Sequence, residues 1–578
     1  MKYVCNHQNI LKDYGREVLR LRGIEDPESF LNPTAECLQS WRDLDNIVEG
    51  VNLLLSTINK ENAHLALIVD CDVDGYTSSA IFYNYLKTIK PEVKITYFLH
   101  EGKQHGLEDT WQVILNSKDK YDLLVVPDAG SNDYEYTEKL KTINLPILIL
   151  DHHIVEEDTK IGENCILINN QTSPNYRNKN LSGAGVMYQF CRAIDEIAGY
   201  NFANDFIDLA ALGICADMMS GLEIENQYIW KTGFSNIKNY FFKVLCDKQA
   251  FSLNGKIYPI GVSFYIAPLI NAMIRVGTSE EKERLFKAFI DGQSLVPSHK
   301  RGAKGTLEKV AIESARECTN AKTHQDKQKK ELAEGLEFKA HKHDLFENKI
   351  LFIRLDDDDI FPSELNGLLA MQLSAKHHMP TIIGRLNDEG YIRGSARGLS
   401  DSELTSFKDY LNSTGLFEYT AGHDNAFGIS IKKENLDKLH AMANEDFKDI
   451  DFGNKVWDVD FVRIAADTDI AKIVYDLEPY EPIWSQQNNQ PLIAINDIYI
   501  NSSDIQVMGK NKDTMKFIKN GITYIKFFAK DLIQDLQQFP GLIHINIVGE
   551  TAVNEWAGKT SPQIRIKDIE FEDGTLGF

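Results

Sequence analysis

Three short segments concentrate carboxylates and imidazoles in a pattern that could hold metal ions. Asp70, Asp72 and Asp74 alternate in Asp70-Cys71-Asp72-Val73-Asp74-Gly75, Asp128 follows Val126-Pro127, and Asp151, His152 and His153 follow the apolar run 147–150. Several aspartates with one or two histidines and no cysteine pair suit hard divalent ions such as Mn²⁺ or Mg²⁺. So many carboxylates cannot all ionise together unless positive charge is supplied. Two divalent ions about 3.5–4 Å apart would supply it, activate a water and steady the leaving oxygen of a phosphoester. Any one of these aspartates alone is an ordinary turn former or helix cap. Three strand ends carrying them together are a different matter. By contrast the acidic run 356–359, ahead of Ile360-Phe361-Pro362, reads as a solvated turn.

Residues so far apart in sequence meet only if the chain brings distant strand ends to one edge. Apolar runs at 65–69, 94–99, 123–127 and 146–150 read as short buried strands. Helical spacing fills the intervals, at 77–89 with Ile81, Phe82, Tyr85 and Leu86 on one face, and at 111–115 and 134–142. Short apolar strands alternating with helices imply a parallel sheet covered on both faces. In such a sheet ligands bind outside the carboxyl ends of the strands, where these aspartates fall. Residues 183–216 continue in a helical pattern. The stretch 300–330 carries nine Lys or Arg against four acids and reads as a long exposed helix joining two halves. A second α/β pattern follows, with strands at 350–354, 381–384 and 391–395 and a helix at 367–375. Runs at 491–500, 505–508, 514–518 and 522–528 are β-like and separated by turns, as a small barrel requires. The expected fold class is therefore α/β, in four parts: an N-terminal segment with the parallel-sheet domain (1–295), a connecting helix (296–345), a smaller α/β domain (346–450) and an OB-like β-barrel (451–578).

Composition narrows the function. The 578 residues, 43% hydrophobic and 25% charged, describe an ordinary globular chain of several domains. The apolar runs are far shorter than the roughly 20 residues needed to cross a bilayer, and the N-terminus lacks a secretory apolar stretch. Eight dispersed cysteines form no CxxC pair, so the expectation is a reduced, cytoplasmic protein without membrane attachment. A net charge of −23 would repel a polyanion, so any nucleic acid must be met by a local basic groove or by metal ions.

Taken together, Asp-x-Asp-x-Asp-Gly, a strand-end Asp and Asp-His-His resemble the motifs of the DHH phosphoesterase superfamily. Asn180-Leu181-Ser182-Gly183-Ala184-Gly185-Val186 is similar to its LSGAGV helix start, and Ala211-Leu212-Gly213-Ile214-Cys215-Ala216-Asp217-Met218 to its ALGTVAD motif. Within the superfamily the chain resembles the RecJ-type exonucleases specific for single-stranded DNA. Ala267-Pro268-Leu269-Ile270-Asn271-Ala272-Met273-Ile274-Arg275 is similar to their PRINAAGR segment. Gly394-Ser395-Ala396-Arg397 and Gly422-His423-Asp424-Asn425-Ala426-Phe427-Gly428 resemble the GSAR and GGHxxAAG loops of the DHH-associated domain. Leu477-Glu478-Pro479-Tyr480 is similar to LEPFG, and Asn554-Glu555-Trp556 with Gln563 resembles the end of the family's OB-fold.

The resemblance implies a two-metal, Mn²⁺- or Mg²⁺-dependent enzyme that degrades single-stranded DNA from its 5′ end to mononucleotides in recombination, repair or replication. Asp72, Asp74, Asp128, His152 and Asp217 match the metal ligands, and Asp70 and His153 match catalytic motif positions beside the metals. Arg275, Ser395, Arg397 and His423 match positions that hold the DNA, the 5′-phosphate end in particular. Arg suits that task because its guanidinium forks onto phosphate. The chain departs from the family at three places. Leu269 stands for an Arg, Ile274 for a Gly, and His100-Glu101-Gly102-Lys103-Gln104-His105-Gly106 replaces an Arg ahead of a GYG turn, which makes Lys103 and His105 candidates for phosphate contact. The implied partners are single-stranded DNA and, beyond it, a single-strand-binding protein or helicase. Two other readings stay open: a phosphodiesterase of oligoribonucleotides or cyclic dinucleotides, and a non-catalytic DNA-binding replication scaffold.

Overall fold

The computed structural model describes the chain except residues 103, 118–119, 157–158, 357–360, 400–401, 453–454, 537, 540, 557 and 575–578. Lys103 and most of the acidic run 356–359 thus lie outside the described residues. Two compact units emerge, one of Leu19–Thr323 with Tyr480–Gln490, the other of Met1–Val18, His324–Pro479 and Pro491–Phe578.

The first unit is built on five parallel strands: β1 (His64–Val69), β2 (Lys94–Leu99), β3 (Leu123–Pro127), β4 (Ile147–Asp151) and β5 (Cys165–Asn169), ordered β2-β1-β3-β4-β5. Every residue of β3 and β4 is buried, as a sheet covered on both faces demands. β5 escapes the sequence reading because its five residues follow a long polar stretch. Helix α1 (Val73–Ile89) starts on Asp72, whose side chain accepts the Gly75 amide at 2.9 Å. Helices α2 (Gly183–Ala198) and α3 (Ile207–Ala216) pack beside it; α3 is almost wholly buried, and α2 is buried from Gly183 to Cys191. Tyr85 of α1 donates to Asp195 of α2 at 2.7 Å, closing the far end of that pair. A further helix runs from Pro259 through a π-helical turn (Val262–Ile266) into α4 (Ala267–Val276). Pro259–Val276 is the one stretch among the described residues that is long and apolar enough to cross a membrane, and half of it is buried in this unit.

The basic connector differs from expectation. Residues 295–309 form a short antiparallel hairpin, Leu295–Pro297 against Leu307–Lys309, and only then does α5 (Val310–Lys342) begin. Glycines and a proline keep 297–305 out of the helix, and one face of the first turns of α5 is buried, at Val310, Ala311, Ala315 and Cys318. Part of the charge is also neutralised locally. Arg316 pairs with Glu308 and Glu313, while Arg284 holds Glu317 at 2.7 Å.

In the second unit β6 (Leu351–Leu355), α6 (Asn366–His377), β7 (Thr381–Leu386), β8 (Tyr391–Arg397), β9 (Phe417–His423) and β10 (Ala426–Lys432) make a five-stranded sheet ordered β9-β10-β8-β7-β6. Only β6 and β7 are parallel. The glycine-flanked 422–428 segment is not a free loop but the β9–β10 hairpin, turning at Asp424-Asn425. Beyond it a seven-stranded barrel-like sheet contains β11 (Phe461–Ile464), β12 (Leu492–Asn501), β13 (Gln506–Met508), β14 (Thr514–Lys519), β15 (Ile522–Lys526), β16 (Leu542–Trp556) and β17 (Lys559–Asp573). The N-terminus joins this unit: Lys2–Val4 pairs in parallel with Val456–Asp458, and Tyr14 donates to Asp469 at 2.8 Å.

Candidate metal centre

All five matched ligands, with Asp70 and His153, gather at the carboxyl ends of β1, β3 and β4 in the first unit. Asp70, Asp74 and Asp128 are each about 1% exposed. Potential ligand atoms form two neighbouring sets, each within 4.8 Å: Asp74, His152 and Asp217, and Asp70, Asp72 and Asp128. Asp128 stands between them. Its Oδ1 is 3.2 Å from His152 Nε2, which is 3.5 Å from Asp217 Oδ2 and 3.8 Å from Asp74 Oδ2.

Local backbone explains how each side chain arrives. Asp128 leaves β3 in a left-handed conformation (φ 62°) that aspartate tolerates better than most residues, and its amide donates to Leu150 at 2.8 Å. Asp74 is fixed by the start of α2, accepting from Ser182 Oγ at 2.8 Å, Gly183 N at 2.7 Å and Ala184 N at 3.1 Å. Gly183 must lack a side chain, since a Cβ there would lie 2.3 Å from Asp128 Oδ1. Asp217 ends α3 as its C-cap.

Asp151 plays a different part from the other aspartates. Its Oδ1 accepts from His152 N (2.7 Å), His153 N (3.2 Å) and His153 Nδ1 (2.8 Å), and its Oδ2 from Ser131 N (3.0 Å). Its oxygens are engaged, so it positions the two histidines. Asn169, at the end of the unforeseen β5, completes that support by donating to Ser131 Oγ and to the His153 carbonyl, both at 2.9 Å.

The electrostatics demand cations. Burial first, then the charges of Asp70 and Asp74, push the Asp72 carboxyl up to about 6. Burial and neighbouring carboxylates raise Asp128 and Asp217 well above their ordinary value. Burial lowers His152, keeping it neutral and able to ligate. His153 behaves oppositely: burial lowers it, but its hydrogen bond to Asp151 and that charge win and raise it to about 9. Asp128 Oδ1 and Asp217 Oδ2 are buried and accept no well-formed hydrogen bond among the described residues. Two carboxylate oxygens left bare among crowded acids beside a neutral imidazole fit a divalent-metal site.

The departures at 100–106 also come here. His105 Nδ1 lies 2.7 Å from Asp70 Oδ2, and that hydrogen bond raises His105 to about 11. His100 is buried, 2.6 Å from Asp109 and 3.8 Å from Asp70. Lys282, a buried lysine that no motif signalled, donates to the Glu101 carbonyl at 2.6 Å and anchors this turn. Arg275 lies exposed in the last turn of α4, where the Asp72 carboxylate favours its charge. Leu269 and Ile274 are buried, so the two PRINAAGR departures serve packing.

Ser395, Arg397 and His423 belong to the second unit. Register places Arg397 and His423 on either side of Ala426, in one row across β8, β10 and β9. Gly367, in the first turn of α6, makes room for the guanidinium: a Cβ there would lie 2.6 Å from Arg397 Nη2 and 3.7 Å from Ser395 Oγ. A hydroxyl, a guanidinium and a helix N-terminus thus converge, a combination that suits an anion.

A parallel-sheet domain followed by a β-barrel is the architecture that known proteins share with this chain. The sequence model of the DHH family N-terminal domain matches residues 64–214, and that of the RecJ OB domain matches residues 465–568. YorK of Bacillus subtilis (strain 168), provisionally named an SPbeta prophage-derived single-strand DNA-specific exonuclease, is 38% identical over 96% of this chain and 95% of its own. The single-stranded-DNA-specific exonuclease RecJ of the same organism is 23% identical, over 96% of this chain and 67% of its own. The crystal structure of RecJ from Thermus thermophilus in complex with Mn²⁺ has the same fold, with a TM-score of 0.73 at 19% identity, covering 96% of this chain and 76% of that one. The chain belongs to the DHH phosphoesterase family, in its RecJ-type branch of single-strand DNA-specific exonucleases.

Proposed function

We propose that the chain is a metal-dependent exonuclease that hydrolyses single-stranded DNA from the 5′ end to mononucleotides. The observation that carries this reading is the strand-end cluster, in which two buried carboxylate oxygens, on Asp128 and Asp217, accept no hydrogen bond among the described residues. Asp72, Asp74, Asp128, His152 and Asp217 would hold the two ions, with Asp128 next to both ligand sets. When bound, Mn²⁺ or Mg²⁺ supplies charge for the phosphodiester and acidifies a water. The protein residues do the rest. His153, held protonated at neutral pH by the bond of its Nδ1 to Asp151, is the group that donates a proton to the departing oxygen. Asp70 keeps His105 charged, and His105 and Arg275 grip the backbone on the metal side. Lys103 joins them by sequence position. Ser395, Arg397 and His423 bind the terminal 5′-phosphate, which sets the polarity. The barrel holds the strand through charge and base stacking, and its affinity falls steeply with salt. We place the enzyme in the cytoplasm, in recombination, repair or replication beside a single-strand-binding protein or helicase. The eight cysteines, none placed against another, and the RecJ-type relatives support that setting.

The test is end-labelled digestion in Mn²⁺ of single strands of DNA and RNA carrying 5′-phosphate or 5′-hydroxyl ends. Mononucleotides released first from the 5′ end of DNA are expected. Release from the 3′ end, or internal cuts, would overturn the polarity.

A further inference from the structure

The chain has a net charge of −23, yet from Gly292 to Leu307 it contains no acidic residue. Within that stretch Lys300, Arg301 and Lys304 stand exposed at the tip of the hairpin that precedes α5. None of the three has an acidic partner among the described residues. The cations around them are all engaged: Arg316 with Glu308 and Glu313, Arg284 with Glu317, and Lys309 over the Tyr240 ring at 4.5 Å. Three unpaired like charges on one short loop repel one another, a cost that a bound polyanion removes.

The tip is held in a set shape. Val296 is buried on the stem, and Ser298 closes the turn: its amide donates to the Thr306 carbonyl and its carbonyl accepts from the Gly305 amide, both at 2.8 Å. Gly302 and Gly305 take φ 84° and 83°, and a Cβ on either would meet nothing within 4 Å, so both serve the backbone conformation of the turn. Glu313 of α5 pins the tip, accepting the His299 amide at 3.1 Å with His299 Nδ1 at the same distance. One turn further along α5, Glu317 holds Arg284 of the helix Ser279–Asp291 at 2.7 Å. Two residues before Arg284, Lys282 donates to the Glu101 carbonyl, in the turn whose His105 holds Asp70. Polar contacts thus run from the metal edge to the cationic tip inside one unit.

We propose that Lys300, Arg301 and Lys304 form a phosphate-backbone contact for the part of the single strand that lies beyond the metal centre. This rests on the exonuclease reading and deepens it. The metal edge is rich in carboxylates and the chain as a whole repels a polyanion, so attraction must come from a local group of free cations. A phosphate contact carries no sequence information, and phosphates recur with every nucleotide, so the same grip serves as the strand shortens.

The contact is tested in the full chain, without metal, by fluorescence anisotropy of a labelled long single strand over a salt series. With Lys300→Ala, Arg301→Ala and Lys304→Ala combined, the slope of log K against log salt should become shallower by about 2, at about 0.7 per phosphate contact on a single strand. Affinity at low salt should weaken at least about tenfold. The charge-keeping triple Lys300→Arg, Arg301→Lys and Lys304→Arg should hold the wild-type slope. A control makes the same charge change at the opposite edge of the sheet. Lys60 and Lys90, paired with Asp122 and Glu92, precede strands β1 and β2, and Lys94 opens β2; replacing these three by Ala should leave the slope as in the wild type. The slope is a gradient within each protein, so a sample that is partly unfolded does not mimic the effect. An unchanged slope in the alanine triple, an equal change in the control, or a loss in the charge-keeping triple overturns the contact. If the slope is unchanged while 5′-end digestion in Mn²⁺ proceeds, the contact fails and the exonuclease reading stands. If the wild type binds with its full slope and loses it in the alanine triple, yet releases no nucleotide, that reading fails and the contact stands.

Discussion

The two units carry chemistry in opposite ways. In the first, functional carboxylates are buried at strand ends and over-determined: Asp74 alone accepts three hydrogen bonds from the start of α2. In the second, Ser395, Arg397 and His423 lie at the surface of a mostly antiparallel sheet, with His423 exposed. Buried charge must be arranged before the ligand arrives, since an uncompensated carboxylate in the interior is costly. Surface charge can wait for its ligand and needs only space, which Gly367 provides for Arg397. Substitutions in the first unit should therefore abolish chemistry and alter stability, whereas those in the second should grade affinity.

The largest effect is expected at the centre of the metal cluster. Asp128→Ala removes the carboxylate that faces both ligand sets, and metal catalysis contributes several kcal/mol to such hydrolyses. Turnover should fall by at least about 10³-fold, since each 1.4 kcal/mol is a factor of ten. Binding of single strands should persist, as read by fluorescence anisotropy. Wild-type-like turnover in this variant would remove the two-metal mechanism.

The same burial predicts a stability signature without metal. Asp72 is raised from 3.8 to about 6, so the folded state holds its proton more tightly than the unfolded one. Its contribution is neutral below pH 3.8 and grows unfavourable as pH rises to about 6, reaching about 3 kcal/mol at 1.36 kcal/mol per unit. Metal-free Asp72→Asn should thus gain stability over wild type as pH climbs through that window, measured by urea unfolding, and Mn²⁺ should erase the gain. A difference that does not change between pH 4 and 7 would show that the carboxylate is not destabilised by its surroundings.

Arg397→Ala should cost on the order of 2–3 kcal/mol, the usual value of a hydrogen bond to a charged group. The loss should be confined to 5′-phosphorylated strands and be small on 5′-hydroxyl ends, with Mn²⁺ binding intact by calorimetry. Equal slowing of both substrates would mean that Arg397 does not read the end.

The contrast between the units also explains what is legible in the sequence. Asp70, Asp128 and Asp151 each follow a run of apolar residues, and a buried parallel strand can deliver them to only one edge, so the cluster is readable from spacing. The division of labour within it is not. Asp151 looks like a ligand by type and turns out to orient His152 and His153, a distinction made by hydrogen-bond geometry. Asn169 and Lys282 act through contacts 16 and 181 residues away, and no local pattern announces them. The 422–428 segment reads as a loop because glycines and Asp-Asn mark turns. The turn is real but only two residues long, and the strands run on to either side of it. The basic stretch misleads because charge reads as exposure, whereas Arg316 is paired within its own segment.

The smallest effect is expected on the barrel, which carries none of the metal chemistry. Phe528 follows β15, is 92% exposed, and sits at φ 55°, a region that bulky side chains avoid. Phe527 beside it is half exposed, and Lys526 and Lys530 flank the pair. Strain at an exposed aromatic among lysines is what a base-stacking contact would justify. Phe528→Gly separates the two contributions. Glycine adopts positive φ freely, so the variant should be more stable than wild type by up to about 1 kcal/mol, less the entropy glycine adds to the unfolded chain. It should at the same time bind long single strands roughly 3- to 10-fold more weakly, about 1 kcal/mol, while cleavage of very short strands is unaffected. Stability and affinity moving in opposite directions would mark Phe528 as a residue kept for its ligand. If long-strand affinity is retained while stability rises, the strain at Phe528 has no part in binding.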